Sequence, residues 1–138
     1  IGPTEVINKM NLMLNTIVSC VPPFIQIAGI EALEGDQSEL ISMKETYYKR
    51  KQIIVSGLNS IKGIDCLDPI GAMYVFPDIR GTGMNSDEFA DVCLNKAGVA
   101  LLPGTNFGRY GEGFVRMCYV NTEEKIIEAI ERIRKVLE

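Results

Sequence analysis

The sequence contains no histidine and no tryptophan, and its four cysteines stand far apart. Without histidine, the usual Ser-His and Cys-His catalytic arrangements and histidine-ligated zinc are excluded within this chain. The cysteines form no CxxC pair, so we expect buried free thiols rather than a metal site or a disulfide framework. They are Cys20, Cys66, Cys93 and Cys118. We therefore expect that demanding chemical steps depend on a group that this chain does not itself contain.

Long apolar runs and clusters of positive charge are also missing. No stretch approaches the roughly 20 apolar residues of a membrane span, and no signal peptide is visible. The net charge is −4 with both signs interspersed, so nothing indicates nucleic-acid binding. Charged residues make up 23% and hydrophobic residues 46%, as in an ordinary folded domain. We expect a cytoplasmic protein without membrane or nucleic-acid partners.

The beginning of the chain looks like the middle of a protein. Ile1 stands in place of methionine, and Gly2-Pro3 leads at once into a predicted helix. We expect the sequence to be the C-terminal part of something longer.

The first half predicts helices. Residues 3–18 carry an apolar stripe at helical spacing, residues 19–23 break it, and a second helix runs from Pro23 to a left-handed glycine cap at Gly35. Asp36 and Glu39 form a capping box for a third helix, roughly 35 Å long, that could brace two domains. Its apolar residues recur every seven positions, but they are too few for a coiled coil: Leu40, Tyr47, Ile54 and Ile61.

The second half predicts strands at 64–67, 72–76, 99–102 and 114–120. Asn85 and Glu88 make a capping box for a helix that ends at residues 96–98. Asn121 and Glu124 cap a final helix with an inward apolar face and outer pairs Glu128-Arg132 and Glu131-Lys135; the inward residues are Ile126, Ile130, Ile133 and Leu137. The fold class is α/β (α+β), a small sheet with packed helices, divided into a helical segment 1–35 and a domain 36–138.

Arg116 is the only charge in the apolar run 113–120, which we interpret as a strand buried on both faces. It shares a face with Phe114 and Cys118 because strand side chains alternate. An unpaired buried cation costs several kcal/mol, so either a carboxylate of this chain or a ligand must pair with it. The planar guanidinium suits a carboxylate held by two parallel hydrogen bonds.

Other candidates are weaker. The stretch 81–86 precedes a helix but lacks the lysine of a phosphate-binding loop, so we interpret it as a surface loop. The glycine-rich stretch 103–113 could line a binding site or be only a flexible connection. None of the eight lysines looks desolvated, so we find no candidate for a Schiff-base amine: Lys9, Lys44, Lys49, Lys51, Lys62, Lys96, Lys125 and Lys135.

The order of motifs resembles the C-terminal portion of aspartate-aminotransferase-like enzymes that depend on pyridoxal phosphate. The motifs are Pro22-Pro23-Phe24-Ile25-Gln26, Glu31-Ala32-Leu33, Pro69 to Pro77, Ala97 to Gly104, Phe107-Gly108 and Gly113 to Arg116. The resemblance spans essentially the whole chain. It implies the small domain of this fold, with N-terminal helices that link it to a large domain.

In that family, an arginine in the position of Arg116 binds the substrate α-carboxylate. The resemblance also places Phe107 near the substrate and the stretch 16–23 near the active site at the subunit interface of a homodimer. It implies amino-acid and 2-oxo-acid substrates, with aspartate as one candidate donor. The Schiff-base lysine, the aspartate that pairs with the pyridine nitrogen and most phosphate ligands would lie upstream of Ile1. We expect the chain alone to be inactive and to bind pyridoxal phosphate weakly or not at all, with no catalytic or cofactor-binding residue of its own.

Three alternatives stay open. The parent could be another enzyme of the same fold, such as a carbon-sulfur lyase, a decarboxylase or a racemase. The chain could be a stand-alone module that binds small carboxylates through Arg116. It could also be purely structural, with Arg116 paired internally.

Overall fold

A computed structural model describes residues 1–18 and 20–138. Ser19, part of the predicted break between the first two helices, lies outside the described residues. The chain divides into two compact units, Ile1–Glu39 and Leu40–Glu138. Within the described ranges, no helix combines the length and the apolar character that crossing a membrane requires.

The first unit holds two helices, α1 (Thr4–Ile17) and α2 (Pro23–Glu34), as predicted. No described residue of either helix is buried. The left-handed cap predicted at Gly35 is wrong, because Gly35 is extended with φ −73° and ψ −174°. The Gln37 side chain instead donates hydrogen bonds to the carbonyls of Ala32 and Gly35, so the helix end needs no left-handed turn.

Helix α3 (Ser38–Asn59) is 22 residues long, about 33 Å at the usual rise. The capping box predicted for Asp36 and Glu39 does not form. The Asp36 carboxylate accepts hydrogen bonds from the backbone N–H (3.0 Å) and the hydroxyl (2.6 Å) of Ser38, and these bonds lower the pKa of Asp36. Of the predicted apolar stripe, Leu40 is exposed and Tyr47 is half-buried, whereas Ile54 and Ile61 are buried.

A three-stranded antiparallel sheet has the order β1-β3-β2. The strands are β1 (Tyr74–Val75), β2 (Leu102–Pro103) and β3 (Val115–Cys118). In the register, Tyr74 lies opposite Cys118 and Leu102 lies opposite Arg116. Because β3 pairs on both sides, it is the centre of the sheet.

All the strands are shorter than predicted, and in two of them other groups take the hydrogen bonds. The predicted strand 64–67 is reduced to a bridge between Asp65 and Asp78, since the Asn59 side chain bonds both the N–H and the carbonyl of Cys66. The predicted strand 99–102 is reduced to its last residue, since the Val99 N–H donates to the carbonyl of Cys93.

Helix α4 (Ser86–Val92) continues as a π-helical turn, Cys93–Ala97, and ends at Gly98 with φ +65°. Its capping box between Asn85 and Glu88 is confirmed, with both reciprocal hydrogen bonds present. Asn85 accepts the backbone N–H of Glu88 at 2.9 Å. Helix α4 and its π-helical turn therefore begin and end where the sequence predicts.

Helix α5 (Glu123–Leu137) closes the fold. Thr122, rather than the predicted Asn121, caps it by accepting the Lys125 N–H. The pair Glu128-Arg132 is confirmed. Glu131, in contrast, pairs with Arg134, one residue before the predicted Lys135. The three isoleucines of its inner face join a core shared by α3, α4 and the sheet; the core includes Ile54, Leu58, Val75, Phe89, Val115, Met117, Tyr119, Ile126, Ile130 and Ile133.

Candidate functional site

The central strand β3 separates an inner face from an outer face. Val115 and Met117 are buried, whereas Arg116 is half-buried and Cys118 is exposed. The interpretation of this strand as buried on both faces is therefore wrong in the described chain. An apolar run does not reveal whether a second layer covers it. The predicted placement of Arg116, Phe114 and Cys118 on one face follows from the alternation of side chains along the strand.

The Arg116 guanidinium lies over two aromatic rings. Its Cζ atom is 4.5 Å from the centroid of the Tyr74 ring and 4.1 Å from that of Phe107. The rings come from opposite sides of β3, since Tyr74 belongs to β1 and Phe107 follows β2. Both distances are well inside the range of cation–π attraction. The contacts hold the cation on the outer face without neutralising it.

No carboxylate of the described chain forms an ion pair with Arg116, although other arginines do find acids. Arg132 pairs with Glu128 at 2.6 Å, and Arg80 pairs with Asp78. The internal pairing left open by the sequence is thus absent from the described residues. A shallow cleft of about 180 Å³ lies beside the guanidinium, lined by Tyr74, Ala100, Leu101, Leu102, Arg116 and Cys118. The arrangement can accept a small anion at the edge of the guanidinium.

The glycine-rich stretch after β2 folds into two short 3₁₀ turns, Gly104–Phe107 and Arg109–Gly111. Gly104 and Gly111 approach each other so closely that a Cβ atom on either would overlap the carbonyl oxygen of the other. These two glycines are required by close packing of the backbone. The alternative of a merely flexible connection does not describe this loop.

Ser86 and Glu112 fasten the same loop to the start of α4. The Ser86 hydroxyl is fully buried, accepts the Gly113 N–H at 2.8 Å and donates to the Gly111 carbonyl at 3.3 Å. The Glu112 carboxylate accepts the N–H groups of Ser86 and Gly113, both at 3.0 Å. Sequence reasoning missed Ser86, whose only visible signal was its place directly after the capping residue Asn85.

Phe107 belongs to a row of aromatic side chains on the outer face. Its ring meets Phe76 edge-on at 6.0 Å, and Phe76 stacks on Phe114 at 5.6 Å. The Arg80 guanidinium lies over the Phe114 ring at 5.4 Å and donates hydrogen bonds to Asp78. These hydrogen bonds lower the pKa of the Asp78 carboxyl. Phe107 therefore contacts both this row, through Phe76, and the Arg116 guanidinium.

The stretch 81–86 gives no support to phosphate binding. A Cβ atom on Gly81 would lie 2.7 Å from the Cα of Gly63, so this glycine serves a close backbone approach. Gly83 has φ +79° and ends a 3₁₀ turn. The surface-loop interpretation accounts for both glycines.

The prediction that no lysine is desolvated is wrong for Lys51. Its side chain is only 15% exposed, and its Nζ lies 2.8 Å from Asp68 and 3.2 Å from the Pro69 carbonyl. The burial comes from packing between α3 and the segment before β1, which the sequence does not reveal. An ammonium held by a carboxylate is not a free amine, so Lys51 does not provide the nucleophile of a Schiff base.

The four cysteines are all free, but they are not all buried. Cys66 and Cys93 are buried, and burial raises the pKa of these thiols to about 11 and about 12 respectively. Cys20 and Cys118 are exposed, contrary to prediction. Across the described ranges, no group of three or more cysteine and acidic residues is placed to bind a metal ion.

Comparison with known proteins places the chain beside aminotransferases. The family described as "Aminotransferase class I and II" matches residues 1–133. An aspartate aminotransferase of Pyrococcus horikoshii is 46% identical, aligned over 100% of this chain and 36% of the relative. An LL-diaminopimelate aminotransferase of Moorella thermoacetica is 38% identical over 99% of this chain and 34% of that protein.

Solved structures agree with this comparison. The crystal structure of an aromatic aminotransferase from Pyrococcus horikoshii matches with a TM-score of 0.90 and 37% identity, over 99% of this chain and 37% of that chain. The present chain thus spans about a third of the length of the relatives that it matches.

Proposed function

The chain belongs to the class I and II aminotransferases, and from this premise we propose that Arg116 binds the substrate α-carboxylate in such an enzyme. The small α/β fold inferred from the sequence is confirmed by its structural neighbours. The family uses pyridoxal phosphate to transfer amino groups. The proposed activity of the whole protein is transfer between an amino acid and a 2-oxo acid.

The observation that carries this proposal is the environment of the Arg116 side chain. Its guanidinium is covered by two aromatic rings, has no acidic partner in the described chain and borders an open cleft. A bidentate carboxylate would use donors that the protein leaves free. Such an arrangement would orient a substrate rather than move protons, because a guanidinium keeps its protons throughout the physiological range.

Phe107 would support the same site. Its ring is the nearer of the two that cover Arg116, and the loop that carries it is fixed by Ser86 and Glu112. We propose that Phe107 lies beside the bound substrate and excludes water from one side of the carboxylate contact. A drier contact strengthens each charged hydrogen bond.

The described residues do not fit pyridoxal phosphate. The most buried lysine, Lys51, is already paired with Asp68, and the sequence has no histidine. Bound pyridoxal phosphate acts as an electron sink for a substrate carbanion. We propose that residues outside this chain hold it, in a large domain comparable to the part of the relatives that this chain does not cover.

The proposed assembly is a homodimer. In it, the stretch 16–23 would run near the active site at the subunit interface; Ser19 in this stretch lies outside the described residues. The division into a linking segment 1–35 and a small domain 36–138 is part of the same proposal, as is the cytoplasmic location. Analytical ultracentrifugation of the full-length gene product would test the dimer.

The amino donor is set by side-chain recognition, and the relatives differ in this respect. Their names specify aspartate, LL-diaminopimelate and aromatic substrates. All such substrates share an α-carboxylate, which is the group that Arg116 would bind. Aspartate is the first donor to test, because the aspartate aminotransferase of Pyrococcus horikoshii is the more similar of the two sequence relatives described.

The test uses the full-length natural gene product loaded with pyridoxal phosphate. We expect a visible chromophore that shifts when an amino donor is added. Arg116→Ala should keep the chromophore, raise KM for the donor and lower kcat. Arg109→Ala is a matched control, because Arg109 also lies over an aromatic ring, that of Tyr110, but does not border the cleft.

The outcomes separate the alternatives. A full-length protein without a chromophore, even with added pyridoxal phosphate, would overturn the aminotransferase proposal. Equal effects of Arg116→Ala and Arg109→Ala would overturn the role of Arg116. Tight binding of acetate or a 2-oxo acid by the 138-residue chain itself would favour a carboxylate-binding module. A product other than a 2-oxo acid would favour another reaction of the same fold.

A further inference from the structure

We propose that Tyr74 is a positioning residue for Arg116, acting opposite Phe107 to fix the plane of the guanidinium. The inference rests on the proposed function, in which the edge of that guanidinium binds the substrate carboxylate. It assigns a role to a residue in β1 that the sequence did not single out.

The strand order carries the geometric part of the argument. Arg116 lies in the central strand, Tyr74 in the strand on one side and Phe107 after the strand on the other. The Arg116 Cζ is 4.5 Å from the Tyr74 centroid and 4.1 Å from the Phe107 centroid. Rings that approach from opposite sides of a strand are placed to cover opposite faces of a planar group between them.

Covering both faces has a chemical consequence for Arg116. The five N–H donors of a guanidinium lie in its plane, so rings on its faces leave the donors free at the edge. A single ring would still allow the group to tilt and rotate on its flexible stem. Two rings restrict that motion before a ligand arrives, which lowers the ordering cost of binding. The planar fork is then ready for two parallel hydrogen bonds.

Tyr74 itself is firmly held through its backbone. It pairs with Cys118 in the sheet, and the two residues before it are tied to Tyr119. The Tyr119 hydroxyl donates to the Ala72 carbonyl at 2.6 Å, and its N–H donates to the Met73 carbonyl at 3.1 Å. Ala72 has φ +65°, the only positive φ at a non-glycine residue in the described ranges. The buried Tyr119 therefore maintains a bend that brings β1 alongside Arg116.

The Tyr74 ring, rather than its hydroxyl, makes the contact with Arg116. In the described part of the chain, the Tyr74 hydroxyl makes no hydrogen bond to another side chain or to the backbone. Tyr74→Phe should therefore keep Arg116 in position, whereas Tyr74→Leu should remove this positioning contact. The Tyr74 side chain is 39% exposed, so neither change is expected to prevent folding.

The first test measures the motion of Arg116 in the 138-residue chain by ¹⁵N relaxation of its Nε–H group. In the natural sequence and in Tyr74→Phe, we expect an order parameter typical of a fixed group, about 0.8. In Tyr74→Leu it should fall below about 0.6. Tyr110→Leu is the matched control, because it removes an exposed tyrosine that lies against Arg109 instead; it should leave Arg116 unchanged.

The second test measures KM in the full-length protein with bound pyridoxal phosphate. Tyr74→Leu should raise KM for the amino donor about two- to fivefold, the factor that corresponds to one exposed cation–π contact. Tyr74→Phe and Tyr110→Leu should leave KM within about twofold of the natural protein, a difference smaller than one such contact. The conservative substitution Tyr74→Phe keeps the ring, so it separates a loss of positioning from a general loss of structure.

The results distinguish this inference from the proposed function. Unchanged Arg116 motion in Tyr74→Leu would overturn the positioning role, whatever the kinetics show. Increased motion with unchanged KM, in a protein where Arg116→Ala raises KM, would also overturn it. If Arg116→Ala itself left KM unchanged, the proposed function would fail, and Tyr74 would have no carboxylate site to serve.

Discussion

Helices α1 and α5 carry similar apolar stripes but differ in what those stripes contact. In α5, Ile126, Ile130 and Ile133 are buried. In α1 the corresponding stripe is exposed, with Val6 at 50% and Ile17 at 73% of their full accessible area. Helical spacing thus identifies which face of a helix is apolar, but not whether the described chain supplies a partner for it. The two helices belong to the two compact units, Ile1–Glu39 and Leu40–Glu138.

The comparison predicts different dependence on partners. The second unit has a core of its own, and burial of apolar area is the dominant stabilising effect in a domain. The first unit has no buried residue in either helix. Isolated helices of 14 and 12 residues are marginal in water. The predictions below test this difference, beginning with the largest expected effect.

Cutting the chain before helix α3, between residues 35 and 36, should give opposite results for the two parts. We expect residues 36–138 to unfold cooperatively, with a midpoint close to that of the whole chain. A peptide of residues 1–35 should be mostly unfolded at low concentration, because neither of its helices buries a residue. Far-UV circular dichroism with urea titration measures both. Loss of the cooperative transition in 36–138 would show that the core of the second unit depends on residues 1–35.

Matched leucine substitutions test the same difference at single positions. Leu58 is 1% exposed and Leu33 is 84% exposed. Leu58→Ala should lower the free energy of unfolding by about 2–5 kcal/mol, through lost transfer energy and an unfilled cavity. Leu33→Ala should change it by less than about 0.5 kcal/mol. Chemical denaturation measures both values, and comparable losses would contradict the assignment of the core to the second unit.

Matched glycine substitutions compare backbone packing in the two units. A Cβ at Gly104 would overlap the Gly111 carbonyl, whereas a Cβ at Gly29 in α2 has no neighbour within 4 Å. Gly104→Ala should lower the free energy of unfolding by about 1–3 kcal/mol through overpacking. Gly29→Ala should raise helicity, since alanine favours a helix over glycine by about 1 kcal/mol. An unchanged free energy of unfolding in Gly104→Ala would support the alternative that the loop is a flexible connection.

The smallest expected effect is a dependence on pH. The hydrogen bonds from Arg80 lower the pKa of Asp78, so the fold favours the ionised carboxylate. Its contribution to stability is fully present above the unfolded value of about 3.9 and is lost as pH falls through the lower native value. Urea titrations at pH 7 and pH 3 should show a smaller loss of stability for Asp78→Asn than for the natural chain.

Asp36 provides the comparison from the first unit. Its pKa is also lowered, by hydrogen bonds from Ser38, but these bonds lie within Ile1–Glu39. Asp36→Asn should therefore leave the pH dependence of the cooperative transition unchanged. An equal effect of the two substitutions would show that the two units unfold together.

Local signals in the sequence predicted the helices well. The stripes of α1, α3 and α5, the capping box of Asn85 and the helix end near Gly98 depend on residues a few positions apart. Strand ends were predicted less well, because contacts outside the strands determine them. Asn59 occupies the hydrogen-bonding groups of Cys66, seven positions away in sequence. No pattern within 64–67 reveals this competition.

The candidate site shows the same difference between local features and contacts of distant residues. Arg116 and the glycine-rich loop could be identified from the sequence, because one charge in an apolar run and four glycines in a loop are local features. Tyr74 and Ser86 could not, because their partners are distant along the chain. Ser86 bonds Gly113 across 27 positions. The exposure of the Arg116 face was also unpredictable, since β-strand patterns do not specify what lies above a sheet.

The alternation of side chains in β3 makes this segment sensitive to insertions and deletions. Arg116 faces outward only because Val115 and Met117 face inward. Removing or adding one residue just before Arg116 would shift the strand by one register position. The guanidinium would then enter the core, and an aliphatic side chain would replace it beneath the cleft. We expect homologous sequences to vary in residue type along this strand while preserving its residue count.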